Sequence, residues 1–459
     1  MSSTTEDAPV TPRATSDFYK WYVVLFLTVA STLSFIDRQI LGVMIGPVKR
    51  DLGINDEQIG LLIGFAFTIF YTIITVPMAW LADRYSRRMM IGFGIFFWSL
   101  MTALSGLAKT YGQLFGARDG VGVGEATLGP AAFSMMSDYF SKERLPIAIG
   151  IFQSAPFIGV GLAFILGGPL VEYLESIPPI EAPIIGEILS WQMAFFLVGI
   201  PGILMAFFIF TVKEPVRRGR SKMSEATGDI PVKEIGRFIA QRKWFFIFHF
   251  TAFIMLSIQG WALFAWVLEF FIRSHDLSRG VIGQTYGMIA LFVGFGGSIA
   301  AGAIATRMLR KGTADATLRL VMISALGLTP LAVLFPQVDS ATLAFVMLVP
   351  ITFFMSWPSG LGTTALQVIV PNELRGRVIA FYLLVVNFTS YTLGPYIGGA
   401  INTRVFNEGV NGLGNTLSLM AAFTYPIAAI CTFIALRFFR DALEKAKEWE
   451  EDEDTPQNA

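Results

Sequence analysis

Charge is the scarcest property of this sequence. Asp, Glu, Lys and Arg make up 15% of the 459 residues, whereas hydrophobic types make up 54%. A water-soluble domain usually carries about 25% charged residues, so the shortage excludes a soluble globular protein. The formal net charge is zero, which gives no electrostatic reason to expect a nucleic acid partner. We expect a monomer whose surface contacts membrane lipids.

Residues that support catalysis or metal binding are also scarce. The single cysteine, Cys431, excludes an intramolecular disulfide, and the two histidines, His249 and His275, form no metal-ligand cluster. The sequence has neither the His-Glu-x-x-His nor the Gly-x-Ser-x-Gly motif of hydrolases, and it lacks the phosphate loop of ATP-driven pumps. We therefore predict that the protein is not an enzyme and has no cofactor and no metal site.

Long apolar runs are abundant, and several reach the roughly 20 residues that a helix needs to cross a bilayer. They are apolar on all sides, which excludes the alternating pattern of a β-barrel, and an open sheet would leave backbone groups unsatisfied in lipid. We predict an all-α integral membrane protein with twelve transmembrane helices, at about 20–44, 57–81, 89–108, 111–138, 144–170, 190–212, 244–272, 281–305, 317–336, 341–363, 376–402 and 416–438.

Loop charges predict the topology of these helices. If both termini are cytoplasmic, 25 of the 34 Lys and Arg residues lie on the cytoplasmic side and 6 on the other. We therefore predict a multi-pass protein of the bacterial inner membrane with both termini inside. Residues 1–19 lack the apolar core of a signal peptide, so we predict a disordered arm there. We predict an acidic cytoplasmic tail at 439–459, disordered from Glu448 to Asp454.

An internal repeat divides the chain into two parts. Residues 79–88, after the second span, resemble residues 302–311, after the eighth. The polar segment 213–243 separates six spans from six. We predict two pseudo-symmetric six-helix bundles, at 20–212 and 244–438, joined by a cytoplasmic linker. Parallel repeats of this kind are typical of transporters that rock one half against the other.

Two motifs carry a resemblance to a known family. The loop Ala79–Arg88 resembles the Gly-x-x-x-Asp-Arg-x-Gly-Arg-Arg pattern of the major facilitator superfamily, although Ala79 and Ser86 replace glycines. Within that superfamily, residues 35–39 (Phe-Ile-Asp-Arg-Gln) and 118–126 resemble the Spinster-like branch, which is thought to carry lysophospholipids and sphingosine 1-phosphate. Anion transporters of the superfamily share parts of these motifs. The resemblance implies a proton-linked carrier with an Asp/Glu/Arg cluster in its amino-terminal half.

Three charged residues lie near the middle of the membrane. Asp37 and Arg38 follow about 24 Å of the first span, and Glu125 follows about 21 Å of the fourth, which runs the other way. A charge at this depth costs about 2.5–3.5 kcal/mol, so it should face a cavity and find partners. We predict one cluster, in which Asp37 and Glu125 carry protons and Arg38 binds an anionic group, with Glu125 also near the substrate. A static ion pair joining the first and fourth spans is the alternative.

The remaining candidate residues are assigned to gating or to substrate contact. By resemblance, Asp83 with Arg84, Arg87 and Arg88 forms a cytoplasmic latch between the halves. Arg118 lies nearer the outer end of the fourth span, where an arginine can reach the headgroups. Gly122 and Gly124 provide a smooth helix face for close packing. In the carboxy-terminal half, Trp357 and Asn387 are expected to contact the substrate from a largely apolar wall.

The combined prediction is a proton-linked secondary transporter that works by alternating access on an amphiphilic anion, such as a lysophospholipid or a sphingosine 1-phosphate-like molecule. A polar headgroup site opposite an apolar wall suits such a substrate. Proton symport of a small organic anion, such as a sugar acid, is the alternative. A channel is a further alternative, and saturable flux would distinguish a carrier from it.

Overall fold

The computed structural model describes residues 16–141, 144–183, 186–217 and 232–454. Within these ranges, eleven helices are long and apolar enough to cross a membrane. They occupy eleven of the twelve predicted positions and are numbered by position: Asp17–Val43 (span 1), Asp56–Ala82 (span 2), Arg87–Ser105 (span 3), Ile147–Ser176 (span 5), Ser190–Thr211 (span 6), Lys243–His275 (span 7), Arg279–Arg310 (span 8), Ala316–Gln337 (span 9), Ala341–Ile369 (span 10), Leu374–Arg404 (span 11) and Gly412–Glu444 (span 12).

The fourth predicted position is occupied by two consecutive helices, Tyr111–Glu125 and Leu128–Tyr139, which together are span 4. The first carries Arg118, Asp119 and Glu125 within 15 residues. These charges reduce the apolar character that marks the other eleven spans. The helix is interrupted directly after Glu125, so this member of the predicted cluster lies at a break in the backbone.

Several other spans are also built from more than one helical segment. Span 2 consists of Asp56–Ile63 and Phe65–Ala82, and span 10 of Ala341–Met355 and Pro358–Ile369. Span 5 consists of Leu145–Phe152 and Ala155–Ser176, and span 8 of Arg279–Met288, a π-helical turn Ile289–Gly294, and Phe295–Arg310. Spans 6 and 9 end in the 3₁₀ turns Ile209–Thr211 and Phe335–Gln337, after the helices Ser190–Phe208 and Ala316–Leu334. The span 11 helix begins at Asn372.

The segments outside the spans are short. The helix Ile45–Leu52 follows span 1, and Val232–Gln241 precedes span 7 within the predicted linker. An antiparallel pair of strands, Ile180–Ala182 and Gly186–Ile188, connects spans 5 and 6 and places Glu181 opposite Glu187.

The structure differs from the sequence prediction at both ends of the chain. Residues 1–15 of the predicted arm and 218–231 of the linker lie outside the described residues. Span 1 begins at Asp17, inside the predicted arm, because Ser16 caps the helix through the backbone nitrogen of Tyr19. At the other end, the helix of span 12 continues to Asp454. The prediction of disorder was therefore wrong as far as residue 454, where Ala, Glu and Lys favour a helix.

Close backbone contact joins spans 2 and 11. A Cβ atom added to Gly60 would lie 2.6 Å from the carbonyl oxygen of Pro395, and one added to Gly64 would lie 2.6 Å from that of Thr392. Any larger residue at these glycines would push the helices apart. Spans 5 and 8 approach each other in a similar way at Gly168. These two contacts therefore join the six spans that precede the linker to the six that follow it.

Candidate functional site

The candidate site is built around Arg38, in the last third of span 1. Its Nε donates a hydrogen bond of 2.6 Å to Oε2 of Glu125, and the hydroxyl of Ser34 donates one of 2.6 Å to the same oxygen. Glu125 is almost completely buried, and its Oε1 has no hydrogen-bond partner among the described residues. The side chain of Arg38 remains 12% exposed. The predicted contact between spans 1 and 4 is therefore present, with Arg38 as its accessible member.

Asp37 and Arg118 extend the same group of charges. Arg118 is fully buried and donates from Nη1 to the backbone oxygen of Asp37 at 3.0 Å. Its Nε and Nη2 have no hydrogen-bond partner within the described part of the chain. The expectation that Arg118 reaches the headgroups was therefore wrong, because its side chain turns inward towards span 1. Asp37 is buried and forms no ion pair with the described residues. Two arginines and two carboxylates thus lie in one buried region, which we call the charge cluster (Asp37, Arg38, Arg118 and Glu125).

Aromatic rings surround the guanidinium group of Arg38. The centroids of Phe67, Phe35 and Tyr71 lie 4.5, 4.7 and 4.9 Å from its Cζ, and that of Tyr391 lies 5.8 Å away. Rings at this distance stabilise a cation through their quadrupoles. Tyr391 comes from span 11, so the carboxy-terminal half contributes to the site.

The sequence analysis did not single out Phe67 and Tyr71. The spacing of Phe67 and Tyr71, four residues apart on one helix face, was an available signal. It is a common pattern in a chain with 14% aromatic residues.

Gly122 and Gly124 position span 4 against its neighbours. A Cβ on Gly122 would overlap the carbonyl oxygen of Phe67 and lie 3.2 Å from the backbone nitrogen of Tyr71. A Cβ on Gly124 would lie 2.7 Å from the backbone nitrogen of Trp98 on span 3. Gly122 therefore allows span 2 to approach closely enough to place its aromatic rings over Arg38.

Trp357 and Asn387 occupy different environments. Trp357 is 6% exposed and packs edge-on against Phe353 and Phe354, which are neighbours in its own span. Asn387 is exposed and lies four residues before Tyr391, on the same face of span 11. The structure thus places Asn387 one helical turn from the rings around Arg38. The predicted role of both residues in substrate contact stays a prediction.

Arg87 organises the charges at one end of the molecule. We call this end the terminal face, defined by Asp17, Arg87, Asp138 and Glu214. Arg87 is almost fully buried, is paired with Asp138, and donates to Glu214 at 2.8 Å. Burial alone would raise the pKa of Glu214, but hydrogen bonds from the Arg88 backbone, Arg87 and Ser86 outweigh it and hold this pKa below its usual range.

The side chains of the other members of the predicted latch make different contacts, although the backbone of Arg88 donates to Glu214. The guanidinium of Arg84 stacks on Trp80 at 3.5 Å, and that of Arg88 lies 5.7 Å from the ring of Phe210. Asp83 is exposed and forms no ion pair with any residue that the structure describes. A latch through Asp83 stays a prediction for a state that is closed at the terminal face.

A second group of charges, missed by the sequence analysis, lies at the end of the molecule away from the terminal face. We call it the opposite-face network, and its members are Lys49, Asp56, Arg273, Asn402 and Glu408. Asp56 is fully buried and accepts from both Nη groups of Arg273, at 2.6 and 3.0 Å, from Asn402 at 2.5 Å, and from Lys49. Lys49 also donates to Glu408 at 2.6 Å.

The opposite-face network joins the two halves, since Lys49 and Asp56 precede the linker whereas the other three residues follow it. Burial alone would raise the pKa of Glu408. Hydrogen bonds from the Asp56 backbone, Lys49 and Thr403 outweigh that effect and hold its pKa below the usual range. The contacts between the halves link residues that lie more than 200 positions apart, so no local pattern in the sequence indicates them.

Known proteins resemble this chain over most of its length. The sequence profile of the Major Facilitator Superfamily matches residues 27–395. An MFS-type efflux pump of Mycolicibacterium smegmatis is 26% identical over 436 residues, which cover 93% of this chain and 95% of the relative. A probable L-galactonate transporter of Escherichia coli is 25% identical over 393 residues, covering 82% of each chain. The sphingosine-1-phosphate transporter SPNS2 of Xenopus tropicalis is 23% identical, covering 92% of this chain and 83% of the relative.

Solved structures show the same fold. A bacterial homologue of the human lysosomal transporter Spinster, crystallised in an inward-facing and unoccupied conformation, superposes with a TM-score of 0.75. It is 24% identical, and the match covers 95% of this chain and 99% of the homologue. The predicted fold of the major facilitator superfamily and the resemblance to Spinster-like proteins are thereby confirmed.

Proposed function

Since the chain belongs to the Major Facilitator Superfamily and has the fold of a multi-pass membrane transporter, we propose that it is a proton-linked secondary transporter of an organic anion. The observation that carries the proposal is the Arg38–Glu125 pair. It joins two membrane-spanning segments, spans 1 and 4, through a 2.6 Å hydrogen bond and retains an accessible guanidinium group. Ionisable groups within membrane-spanning segments are costly and mark substrate or ion pathways.

The composition of the charge cluster suits coupling between a proton and an anion. With Asp37 and Glu125 ionised, the two carboxylates balance Arg38 and Arg118, and the cluster is neutral. One bound proton leaves it with a single positive charge, which attracts an anion. A bound anion in turn competes with Glu125 for the guanidinium of Arg38, and a carboxylate that loses its donor takes up a proton more readily. Each ligand therefore favours binding of the other.

We propose an amphiphilic anion, such as a lysophospholipid or a sphingosine 1-phosphate-like molecule, as the substrate. A cavity of about 580 Å³ lies between spans 2, 3 and 4, and its lining is mostly apolar, with Met78, Leu81, Met89 and Phe93. The lining also includes Gly124, the residue before Glu125. None of the four charge-cluster residues lines this cavity, but its apolar lining supports a substrate that carries an acyl chain as well as a charged headgroup. The similarity to a sphingosine-1-phosphate transporter supports the same class.

A sugar acid is the second candidate substrate. Its carboxylate matches the guanidinium fork of Arg38 as well as a phosphate does. The similarity to a probable L-galactonate transporter favours this class. Both candidates use the same charge cluster, so the mechanism proposed here does not depend on the choice between them.

Alternating access requires two states, and we propose that this structure represents the state closed at the opposite face. The opposite-face network and the glycine contacts between spans 2 and 11 support closure there. We propose that 20–212 and 244–438 move as two bodies, with the linker 213–243 between them. The excess of Lys and Arg in the loops near the termini supports a cytoplasmic terminal face and a place in the bacterial inner membrane.

The experiment is flux into liposomes that contain the purified protein, with and without an imposed pH gradient. Labelled lysophospholipid and labelled galactonate are tested separately. The variants are Asp37→Asn, Glu125→Gln and Arg38→Lys, and the control is Glu187→Gln, which removes an exposed carboxylate from the strand Gly186–Ile188. We expect saturable, gradient-dependent flux of one anion in the wild type and in the control.

The three variants have different expected results. Asp37→Asn and Glu125→Gln should lose the dependence on the gradient, because each removes a group that can carry the proton. Arg38→Lys keeps the charge but loses the bidentate fork, so it should weaken apparent affinity for the anion. Normal gradient-dependent flux in all three folded variants would show that the cluster is a static structural ion pair. Flux that does not saturate would indicate a channel.

A further inference from the structure

An aromatic pair from the carboxy-terminal half lies directly against the Arg38 site. The rings of Trp261 in span 7 and Tyr391 in span 11 stack with their centroids 3.9 Å apart and an interplanar angle of 28°. Both residues are only partly buried. The centroid of Tyr391 lies 5.8 Å from Cζ of Arg38, on the side that faces span 11. A stacked, half-exposed pair at a charged site is poorly explained by core packing alone.

The backbone fixes this pair in place. A Cβ on Gly64 would lie 2.9 Å from the carbonyl oxygen of Tyr391, so span 2 packs directly on the backbone that carries the ring. A Cβ on Gly394 would lie 3.0 Å from Cβ of Trp261, so spans 7 and 11 are equally close. The contact between spans 2 and 11 therefore includes the backbone that carries the Tyr391 ring. A ligand that displaces this ring acts on the contact between the two halves.

We propose that Tyr391, supported by Trp261, contacts the transported anion and is the residue through which the carboxy-terminal half recognises it. This inference rests on the proposed transport of an organic anion at Arg38. The ligand recognised in this way is an oxyanion joined to a carbon skeleton, and both the headgroup of a lysolipid and a sugar acid provide one.

Geometry supports direct contact between the anion and the ring. The hydrogen bond to Glu125 uses Nε of Arg38, so an arriving oxyanion can first be bound by the two Nη groups and compete with Glu125 from there. An oxygen held in that way lies about 4 Å from Cζ, given hydrogen bonds of about 2.9 Å. An anion that enters from the side of span 11 therefore meets the Tyr391 ring, and its adjoining carbon atoms can pack on the half-exposed rings.

The test separates the loss of the ring from the loss of the hydroxyl group. Tyr391→Leu removes the ring, Tyr391→Phe keeps it, and Trp261→Leu removes the support behind it. Phe423→Leu is the matched control, because it removes an aromatic ring that is 62% exposed on span 12. Each protein is reconstituted into liposomes, and KM and maximal rate are measured separately for lysophospholipid and for galactonate.

We expect Tyr391→Leu to raise the KM of the transported anion about tenfold, as for a lost partly buried aromatic contact, with a smaller change in maximal rate. Tyr391→Phe should stay within about threefold of the wild type, and Trp261→Leu should raise KM in the same direction as Tyr391→Leu. If Tyr391→Leu does not fold, Trp261→Leu carries the test. The substrate whose KM rises, lysophospholipid or galactonate, identifies whether the bound oxyanion belongs to a lipid headgroup or to a sugar acid.

Two results would overturn the inference in distinguishable ways. If the wild type transports an anion and the Tyr391→Leu and Trp261→Leu proteins keep a KM within twofold of Phe423→Leu, the aromatic pair does not contact the substrate, and the proposed function stands. If the wild type transports neither anion, the proposed function fails and this inference fails with it.

Discussion

Replacing Asp56 by Asn should open the end of the molecule that the opposite-face network closes. Asp56 is fully buried and is the shared acceptor for Lys49, Arg273 and Asn402. Removing one partner from a buried ion pair costs about 3–5 kcal/mol, because the other charge stays buried without compensation. Lys49 keeps Glu408 and Arg273 keeps Glu269 as partners, so the lower end of that range, about 3 kcal/mol, applies here.

This cost falls on one state only. When the halves separate at the opposite face, Arg273 and Asn402 move away from Asp56 and become hydrated, so the substitution has little effect on the open state. A difference of about 3 kcal/mol changes the ratio of the two states about 100-fold towards opening. The control is Glu57→Gln, at the next position of the same helix. Glu57 also pairs across the halves, but its partner Arg404 is 66% exposed, and such a pair contributes at most about 1 kcal/mol.

The assay is a distance measurement between spin labels. Cysteines at Ser176 and Asn411, which are exposed at the opposite face on the two halves, are labelled in a Cys431→Ala background. We expect a single short distance in the wild type and in Glu57→Gln, and a dominant longer distance in Asp56→Asn. An Asp56→Asn protein that elutes as a folded species with the wild-type distance distribution would refute the view that the buried network holds this face closed.

Three further predictions concern stability, each measured as the melting temperature of the purified protein. Gly122→Ala should lower the melting temperature, because the added Cβ overlaps the backbone of span 2 and costs about 1–3 kcal/mol. Gly116→Ala, also on span 4, should leave the melting temperature unchanged, because its Cβ meets no atom within 4 Å. Arg87→Gln should destabilise the protein by about 3 kcal/mol, because two carboxylates lose their shared donor. Its control, Arg84→Gln at an exposed position, should cost no more than about 1 kcal/mol. Equal losses would contradict the conclusion that Arg87 organises the charges of the terminal face. The pKa of Glu408 is lowered in the folded state, so its ionised carboxylate stabilises the fold at pH values above its usual pKa. This stabilisation is lost as the pH falls below about 4. The difference in melting temperature between the wild type and Glu408→Gln should therefore disappear in that acidic range.

The fold was largely predictable because the membrane imposes strong constraints on the sequence. Apolar runs of about 20 residues have few alternatives to a helix in lipid, and eleven of the twelve predicted positions hold a helix of the expected kind. The fourth position was also predicted, although its charges make it atypical. The interruption after Glu125 was not predicted, and neither was the helix that continues to Asp454. Both depend on local backbone preferences that a search for apolar runs does not assess.

The candidate site was predictable to the extent that it contains charges. A charged side chain in the membrane is costly and therefore conspicuous, which is why Asp37, Arg38 and Glu125 could be identified from their depth alone. The same reasoning misassigned Arg118, because depth along a helix does not say which way the side chain points. Its turn towards the backbone of Asp37 depends on the packing of span 1 against span 4.

The part of the site that the sequence does not indicate is the part that depends on both halves. Tyr391 is one of 63 aromatic residues, so nothing local distinguishes it, and its position beside Arg38 results from contact between spans that are over 300 positions apart. Asp56 was overlooked for the same reason, since its partners Arg273 and Asn402 lie beyond the linker. A transporter that alternates between two states must make its decisive contacts between the halves, because contacts within one half do not change. The residues that control the change are therefore those whose partners are most distant in the sequence.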